Sequence, residues 1–345
     1  MKNISNGKKS IHVFSAADMS KGHGVLSAYE EQVGLIKKKI GNEYNISVNP
    51  PRLGDINHYH TINFSYYLRN NIFGKKSISV GYVHFLPETL DKSIRLPKLI
   101  RKIFYKYIIR FYKSMDYTVV VNPYFIEEMK KYGIDTSRTT YIPNLVSNEH
   151  FSKLSDEEKA EKRKEYGIKP DQFLVLGVGQ LQTRKGIFDF TDIAKELPDM
   201  QFLWAGGFSF GNMQEGYHEI KELQNNPPEN MKFLGMVDRL QMNDLYNIAD
   251  VMFLPSYAEL FPMTILEAMA TNTPILLRDI DIYKLILDGY YLKAGDNKGF
   301  IEELKKLRDD PEYRKKAMEM SKRGNDFYSE ESIGEMWKEY YDSLE

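Results

Sequence analysis

Cysteine is absent from the 345-residue chain, so disulfide bonds, thiolate nucleophiles and cysteine-ligated zinc sites are excluded. A reducing cytosolic compartment fits this composition. Net charge is nearly absent as well, because 47 basic side chains stand against 48 acidic ones. A chain without a global cationic field is not expected to bind nucleic acid.

Long apolar runs are also missing. No stretch of 18 apolar residues occurs, so the sequence predicts no transmembrane helix. The first residues, MKNISNGKKSIHVF, contain no apolar h-region, so no secretory signal is expected. Hydrophobic residues make up 42% of the chain and charged residues 28%, which is typical of a globular protein; its length suits two domains.

Short apolar runs alternate with helical patterns in both halves of the chain. The predicted strands cover residues 10–18, 44–48, 78–85, 117–121, 173–179, 201–207, 231–235, 250–255 and 274–278. The first strand is followed by a predicted helix at residues 25–39. This alternation predicts βαβ units and parallel sheets covered by helices on both faces.

The polar and highly charged segment 141–167 separates the two series of strands and shows no strand pattern. We therefore predict the domain junction there. The fold class is predicted as α/β, with two Rossmann-like domains facing each other across a cleft in which ligands would bind. The predicted domains span residues 1–145 and 146–325, and residues 326–345 are expected to form a helix that packs back on the first domain.

The most informative stretch is ADVMFLPSYAELFPMTILEAMATNTPIL, residues 249–276. A strand runs into a loop that contains Glu259, and then into a helix, predicted at residues 262–270, that contains Glu267. The first-turn amides of Met263, Thr264 and Ile265 would be free to hold a phosphate or a sugar oxygen. The alternative interpretation is that the two glutamates are solvated or cap the helix.

A second stretch, GVGQLQTRKGIFDF at residues 177–190, leads from a strand into a helix. Its glycines let the backbone approach a ligand, and the cations Arg184 and Lys185 beside a helix start are suited to a diphosphate. Neither a P-loop nor the pattern GxGxxG is completed. The alternative is an ordinary strand-to-helix turn with solvated basic residues.

Five elements in this order and spacing resemble the retaining glycosyltransferases of family GT4, which have the GT-B fold. They are the glycine loop MSKGHGV, the strand end GYVHF, the linker YIPNLV, the basic turn GQLQTRKG and the stretch PSYAELFPMTILEAMA. The resemblance covers nearly the whole chain. It implies that the second domain binds a nucleotide-sugar and that the first binds the acceptor.

For the donor, the resemblance implies that Glu267 binds the ribose hydroxyls and that Glu259 lies near the donor sugar. Lys185, helped by Arg184, would neutralise the leaving diphosphate. The residues that would hold sugar or phosphate oxygens around the helix start are Phe261, Pro262, Met263 and Thr264.

For the first domain, the resemblance implies that His84 lies at the floor of the cleft beside the donor sugar and the acceptor. Gly22 and Gly24 would let the glycine loop approach both substrates. His84 joins Lys185 and Glu259 as the predicted catalytic set. The sequence departs from the family pattern at three positions, which are His23, Leu145 and Gln180.

No essential metal and no cofactor are predicted beyond the UDP-sugar donor. His58 and His60, in the sequence HYH, could place two metal ligands on one face of a strand, but no acidic pair stands nearby, so a structural role is preferred. The sequence DID at residues 279–281 has the form of a metal-binding DxD motif but follows a strand, where a loop or cap role is preferred.

The stretch RLPKLIRKIFYKYIIRFYKS, residues 95–114, holds seven cations and no acid. On a helical wheel one face carries Leu96, Ile100, Ile103, Phe104, Tyr107, Ile108 and Phe111. The cations are Arg95, Lys98, Arg101, Lys102, Lys106, Arg110 and Lys113. This pattern is typical of a basic amphipathic helix that lies on an anionic membrane. The alternative is an ordinary surface helix with its apolar stripe in the core.

Together with GHGVLSAY, VHFLPETL and ILLRDIDIYKLIL, this helix resembles bacterial glycolipid synthases that add a second hexose to monoglucosyldiacylglycerol. The resemblance implies a peripheral enzyme on the cytoplasmic face of the membrane, with UDP-glucose or UDP-galactose as donor and retention of configuration. One alternative is a GT4 enzyme of surface polysaccharide synthesis with a soluble or polyprenyl-linked acceptor. The other is a non-catalytic nucleotide-sugar binder.

Overall fold

The structure is a computed structural model of the chain, and it describes residues 7–16, 24–87, 97–208 and 216–344. The chain divides into two compact units. The first comprises Met1–Leu145 and Glu330–Glu345, and the second comprises Val146–Ser329.

The first unit is built on a parallel six-stranded sheet in the order β2-β1-β3-β4-β5-β6. Its strands are β1 (Ser10–Phe14), β2 (Asn45–Val48), β3 (Ile56–Tyr59), β4 (Ile78–Val83), β5 (Tyr117–Val120) and β6 (Thr139–Tyr141). Its helices before the junction are α1 (Gly24–Ile40), α2 (Phe64–Phe73), α3 (Lys98–Lys113) and α4 (Tyr124–Lys131), and a 3-10 turn spans Gly74–Lys76.

The second unit also contains a parallel six-stranded sheet, in the order β12-β11-β10-β7-β8-β9. Its strands are β7 (Leu174–Val178), β8 (Gln201–Ala205), β9 (Met231–Gly235), β10 (Val251–Leu254), β11 (Ile275–Arg278) and β12 (Leu292–Ala294). Its helices are α5 (Asp156–Glu165), α6 (Ile187–Glu196), α7 (Tyr217–Asn225), α8 (Arg239–Ile248), α9 (Met263–Ala270), α10 (Asp281–Ile286), α11 (Asn297–Asp309) and α12 (Pro311–Phe327), and a 3-10 turn spans Thr183–Lys185.

The last helix, α13 (Glu330–Asp342), belongs to the first unit and packs on α1. Lys38 and Glu330 form an ion pair at 2.7 Å, while Tyr341 is fully buried. Because exposed ion pairs contribute little, the apolar face of α13 supplies most of the stability of this contact.

Burial on both faces explains the apolar sequences of the central strands. Every residue of β7 and of β10 is buried, as expected for parallel strands covered by helices on each side. In β7, a Cβ atom at Gly177 would lie 2.4 Å from the ring of Trp204, so this position has room only for glycine.

The predicted α/β class is confirmed, and each of the nine predicted strands contains an observed one. Three further strands, β3, β6 and β12, were not predicted, because each is only three or four residues long and includes polar side chains. Since β6 ends at Tyr141, the expectation that segment 141–167 holds no strand residue was wrong at its first position. Within the described ranges, no helix has both the length and the apolar composition needed to cross a bilayer.

Candidate active site

Two turns at the carboxyl ends of β7 and β10 form the centre of the candidate site in the second unit. Gly186 follows the 3-10 turn in a left-handed conformation, with φ of 74°, and a Cβ atom there would lie 2.3 Å from the carbonyl oxygen of Pro255. Glycine is therefore required for the two turns to come this close. The Tyr257 amide also donates to the Arg184 carbonyl at 2.8 Å, which joins the basic turn to the loop after β10.

This junction brings together the predicted residues Arg184, Lys185 and Glu259. The Lys185 ammonium lies 2.5 Å from the Glu259 carboxylate, and the Arg184 guanidinium lies 3.6 Å from it. The Glu259 side chain is only 5% exposed and that of Lys185 only 10%. The alternative of solvated basic residues in an ordinary turn is therefore wrong for Lys185, and Glu259 is neither solvated nor a helix cap.

Electrostatics keep this buried carboxylate ionised. Burial raises the pKa of Glu259, but the charges of Lys185 and Arg184 outweigh it and hold the pKa below its usual range. Burial lowers the pKa of Lys185, while the Glu259 carboxylate opposes this effect. With both cations charged, the group has one excess positive charge, which suits an anionic ligand.

The start of α9 supplies backbone donors beside this group. Pro262 precedes the helix without a side-chain cap, and no acceptor is found within the described ranges for the amides of Met263 and Thr264. The Ile265 amide, in contrast, donates to the Pro262 carbonyl at 3.1 Å, so the expectation that it is free was wrong. Phe261 is buried at this entry to the helix.

Glu267 lies in the second turn of α9 and accepts a hydrogen bond from Tyr246 of α8 at 2.7 Å. Burial and the adjacent carboxylate raise the pKa of Tyr246 far above its usual range, so the hydroxyl stays protonated and remains a donor. Tyr246 therefore fixes the orientation of Glu267. No sequence motif pointed to Tyr246.

Arg278, at the end of β11, is a second residue that was missed. It is buried and donates to the Pro255 carbonyl at 3.0 Å, to the Gly295 carbonyl at 3.1 Å and to the Asp189 carboxylate at 3.1 Å. These bonds link β11 to the loops after β10 and β12 and to helix α6. Arg278 therefore supports the loop that carries Glu259.

In the first unit, the predicted residue His84 follows β4 directly and is buried. Its Nε2 atom lies 3.4 Å from Nδ1 of His60, and Nδ1 of His58 lies 2.7 Å from the Tyr341 hydroxyl. Burial lowers the pKa of His84 to about 3, and burial with the effect of His84 lowers that of His58 to about 3. All three rings are therefore neutral, since the pKa of His60 is also lowered well below its usual value by burial.

No three side chains of histidine, aspartate or glutamate come together as metal ligands would, in the parts of the chain that the structure describes. His58 and His60 are engaged with aromatic and histidine neighbours in the core of the first unit. Asp281, in the DID sequence, starts α10 and pairs with Lys284 at 3.1 Å.

The glycine loop is only partly placed. Gly22 and His23 lie outside the described residues, and Gly24 is the first residue of α1. Of the other departures from the family pattern, Leu145 is buried and Gln180 accepts a hydrogen bond from Gln182 at 2.8 Å.

The basic stretch is helical from Lys98 to Lys113, and Arg95 and Leu96 lie outside the described residues. Most of its described cations are exposed, with Arg101 partly covered; they are Lys98, Arg101, Lys102, Lys106, Arg110 and Lys113. The alternative of an apolar stripe buried in the core holds only for the C-terminal half, where Ile108 and Phe111 are buried. In the N-terminal half, Ile100 is 54% and Ile103 is 61% exposed.

Comparison with known proteins shows the family. The family described as "Glycosyl transferases group 1" matches residues 158–325. The chain is 42% identical over 335 residues to an alpha-galactosylglucosyldiacylglycerol synthase of Streptococcus pneumoniae strain ATCC BAA-255 / R6, covering 97% of this chain and 90% of that protein. It is 28% identical over 337 residues to a processive diacylglycerol alpha-glucosyltransferase of Acholeplasma laidlawii, covering 94% and 95%.

Solved structures show the same fold. A sucrose-phosphate synthase from Thermosynechococcus elongatus superposes with a TM-score of 0.77 at 17% identity, covering 98% of this chain and 99% of that one. Anabaena HepE in complex with UDP-glucose superposes with a TM-score of 0.76 at 13% identity, covering 97% and 100%. Fold and comparisons together define a glycosyltransferase of the GT-B class. The chain belongs to the group 1 glycosyltransferases, family GT4, as the resemblance predicted.

Proposed function

We propose that this enzyme transfers glucose or galactose from a UDP-hexose to monoglucosyldiacylglycerol with retention of configuration, and so forms a diglycosyldiacylglycerol. The observation that carries the proposal is the 42% identity, over nearly the full length, to an enzyme whose name describes this class of product. The second relative, also similar over nearly its full length, is named for glucosyl transfer to diacylglycerol.

The group of Lys185, Arg184 and Glu259 supports binding of a diphosphate. Before the donor binds, Glu259 holds both cations in position at 2.5 and 3.6 Å. Because an ammonium has three donors, Lys185 has donors left for phosphate oxygens after its bond to Glu259. Preorganised cations at a buried position stabilise charge that develops on the departing UDP.

The start of α9 and its second turn extend the donor site. The amides of Met263 and Thr264 would hold sugar or phosphate oxygens near Phe261 and Pro262. Glu267, oriented by Tyr246, would accept two hydrogen bonds from the ribose hydroxyls. The proposal includes no metal ion, and the cation group with its one excess positive charge, together with the helix amides, would neutralise part of the charge of the diphosphate.

We further propose that the acceptor hydroxyl attacks from the side that the UDP leaves, and that a β-phosphate oxygen takes its proton. His84 would position the acceptor and donor sugar as a neutral imidazole. Its Nε2 faces His60, which leaves Nδ1 for a substrate hydroxyl. Gly22 and Gly24 would let the glycine loop approach both substrates.

The acceptor is a membrane lipid, and the exposed basic half of α3 suits contact with an anionic leaflet. Lys98, Lys102 and Lys106 are exposed beside the uncovered Ile100 and Ile103. Each cation near such a surface contributes about 1 kcal/mol. The enzyme would therefore be peripheral, on the cytoplasmic face of a bacterial membrane.

The test is transfer of labelled hexose from UDP-glucose, and separately from UDP-galactose, to vesicles that contain monoglucosyldiacylglycerol. Vesicles with and without anionic phospholipid are compared, with EDTA present in a parallel set. We expect a labelled diglycosyl lipid, increased by anionic lipid and unchanged by EDTA, and proton NMR should show an α linkage. The preferred donor identifies the hexose.

Other results would contradict the proposal. Transfer to a polyprenyl-linked or soluble sugar acceptor in place of the lipid would indicate polysaccharide synthesis. Binding of UDP-hexose without any transfer would indicate a non-catalytic binder. Loss of activity in EDTA that Mg²⁺ restores would overturn the metal-free donor site.

A further inference from the structure

Helix α2 carries a ridge of exposed apolar side chains that was not predicted from the sequence. Phe64, Leu68 and Ile72 stand four residues apart, which places them on one face of the helix. They are 61%, 42% and 59% exposed, and Phe73 at the helix end is 71% exposed. A soluble domain normally buries such a row against its core.

This ridge continues the exposed apolar surface of α3. The Phe64 ring lies 6.0 Å, centroid to centroid, from the Tyr107 ring, and the Tyr67 ring lies 5.9 Å from it. Arg110 of α3 donates to the Tyr67 hydroxyl at 2.9 Å. Of the 14 large hydrophobic residues that are exposed in the described ranges, seven belong to these two helices, so the exposure is concentrated rather than scattered.

The charge of this surface has one sign. Neither α2 nor α3 contains an aspartate or a glutamate, and α2 is followed directly by Lys75 and Lys76. A protein partner would require a matching acidic and apolar face, whereas an anionic bilayer offers both properties over any area. The positive charge and the apolar side chains together therefore favour a lipid bilayer as the partner that contacts this surface.

We propose that α2 is a second membrane-contacting helix, and that Phe64, Leu68, Ile72 and Phe73 insert into the interface of an anionic bilayer beside α3. The inference rests on the membrane contact of the proposed function, and it adds α2 as a second helix that makes this contact. The cations of α3 provide the salt-sensitive attraction. The ridge of α2 provides the apolar contribution to membrane binding, which does not depend on salt.

The experiment compares the full-length chain with the double variant Ile72→Ser/Phe73→Ser in sedimentation with vesicles. The vesicles contain phosphatidylglycerol and phosphatidylcholine, and a second set contains phosphatidylcholine alone. The control is Met236→Ser/Leu240→Ser, which removes apolar side chains that are 57% and 75% exposed in the other unit. A second variant, Lys98→Gln/Lys102→Gln/Lys106→Gln, removes charge from α3.

We expect the α2 variant to bind anionic vesicles at least tenfold more weakly than the unchanged chain, with a similar ratio at about 0.1 M and at about 1 M salt. The α3 variant should lose binding mainly at the lower salt concentration. The control variant should bind like the unchanged chain. Because Ile72 and Phe73 are exposed, all variants should keep the thermal unfolding midpoint and circular dichroism spectrum of the parent.

Two outcomes would overturn the inference. A third would contradict the membrane contact of the proposed function, on which the inference rests. If the unchanged chain binds vesicles and the α2 variant binds equally well, α2 does not contact the membrane and the proposed function stands. If the α2 variant only converts a dimer to a monomer, the ridge joins two copies of the chain. If the unchanged chain binds no vesicle, the membrane contact of the proposed function fails as well.

Discussion

Lys185 and Glu259 form a buried ion pair with a nitrogen-to-oxygen distance of 2.5 Å, although they stand 74 positions apart in the chain. Arg184 shares the same carboxylate at 3.6 Å. A buried pair of this kind contributes little net stability, but the removal of one partner leaves an uncompensated charge. The pair therefore has two separable effects, one on folding and one on binding of an anionic donor.

Lys185→Met should lower kcat about 100-fold, because one preorganised donor to the leaving diphosphate is lost. It should also lower the free energy of unfolding by about 3 kcal/mol, since the Glu259 carboxylate loses its nearest cation. Transfer assays and urea unfolding measure the two effects. Lys195→Met, which removes an exposed lysine of α6 that pairs with Asp192, is the matched control.

The double variant Lys185→Met/Glu259→Gln separates the two effects. We expect it to recover stability relative to Lys185→Met, because the unpaired carboxylate is gone, while activity stays low. Recovery of activity together with stability would mean that Lys185 acts only in folding.

Tyr246→Phe should raise the KM for the donor about tenfold and change kcat by less than twofold, because Glu267 loses the donor that orients it. The matched control is Tyr313→Phe, which removes a hydroxyl that donates to Glu303 between α11 and α12. Steady-state kinetics with varied donor concentration gives both constants. A fall in kcat at unchanged KM would contradict a role for Glu267 in ground-state donor binding.

The sequence singled out those residues of the proposed donor site that lie within local motifs, and it missed those whose position depends on packing. Glu259 and Glu267 have seven residues between them and stand on either side of a helix start, and Lys185 follows a strand within a glycine-rich turn. Short patterns therefore singled them out, and the resemblance to family GT4 supplied their expected roles. Tyr246 lies on a different helix from Glu267, and only the packing of α8 on α9 brings the two together. No local pattern records that contact.

The same limit applies to the fold. Strands that are continuous apolar runs, such as β7 and β10, were predicted. β3 is buried at all four positions as well, but it contains the polar residues Asn57 and His58 and was missed. Strands β3, β6 and β12 are short and partly polar. They are strands because they pair with neighbouring strands of the sheet, which no local sequence pattern shows. Helix α2 has the apolar spacing of a core-facing helix, and only the tertiary structure shows that this face is exposed.

Arg278→Lys should lower the free energy of unfolding by about 2 kcal/mol. A lysine cannot reproduce the three bonds that the guanidinium makes to Pro255, Gly295 and Asp189, and buried acceptors are left unpaired. Urea unfolding followed by tryptophan fluorescence measures the change. Arg323→Lys, at an exposed arginine with one bond to the Gly289 carbonyl, should change stability by less than 0.5 kcal/mol, about the ordinary range for a surface substitution.

The histidines of the first unit should make folding dependent on pH. Burial lowers the pKa of His84 to about 3, and burial with the effect of His84 lowers that of His58 to about 3, whereas unfolded histidine titrates near its ordinary value of about 6.5. Each ring is neutral in the native state and takes up a proton on unfolding at pH 5. Stability is therefore retained above about pH 6.5 and lost as the pH falls toward 3, by up to about 1.4 kcal/mol per pH unit for each histidine.

Proton uptake on unfolding of the full-length chain in urea at pH 5 measures this effect directly. His58→Gln should take up about one proton fewer than the unchanged chain, because one buried neutral ring is missing. His150→Gln, which removes an exposed histidine of the second unit, is the control for the loss of a histidine at the surface. An equal uptake by His58→Gln and the unchanged chain would mean that His58 is already protonated in the native state, in spite of its burial beside Tyr341 and Trp337.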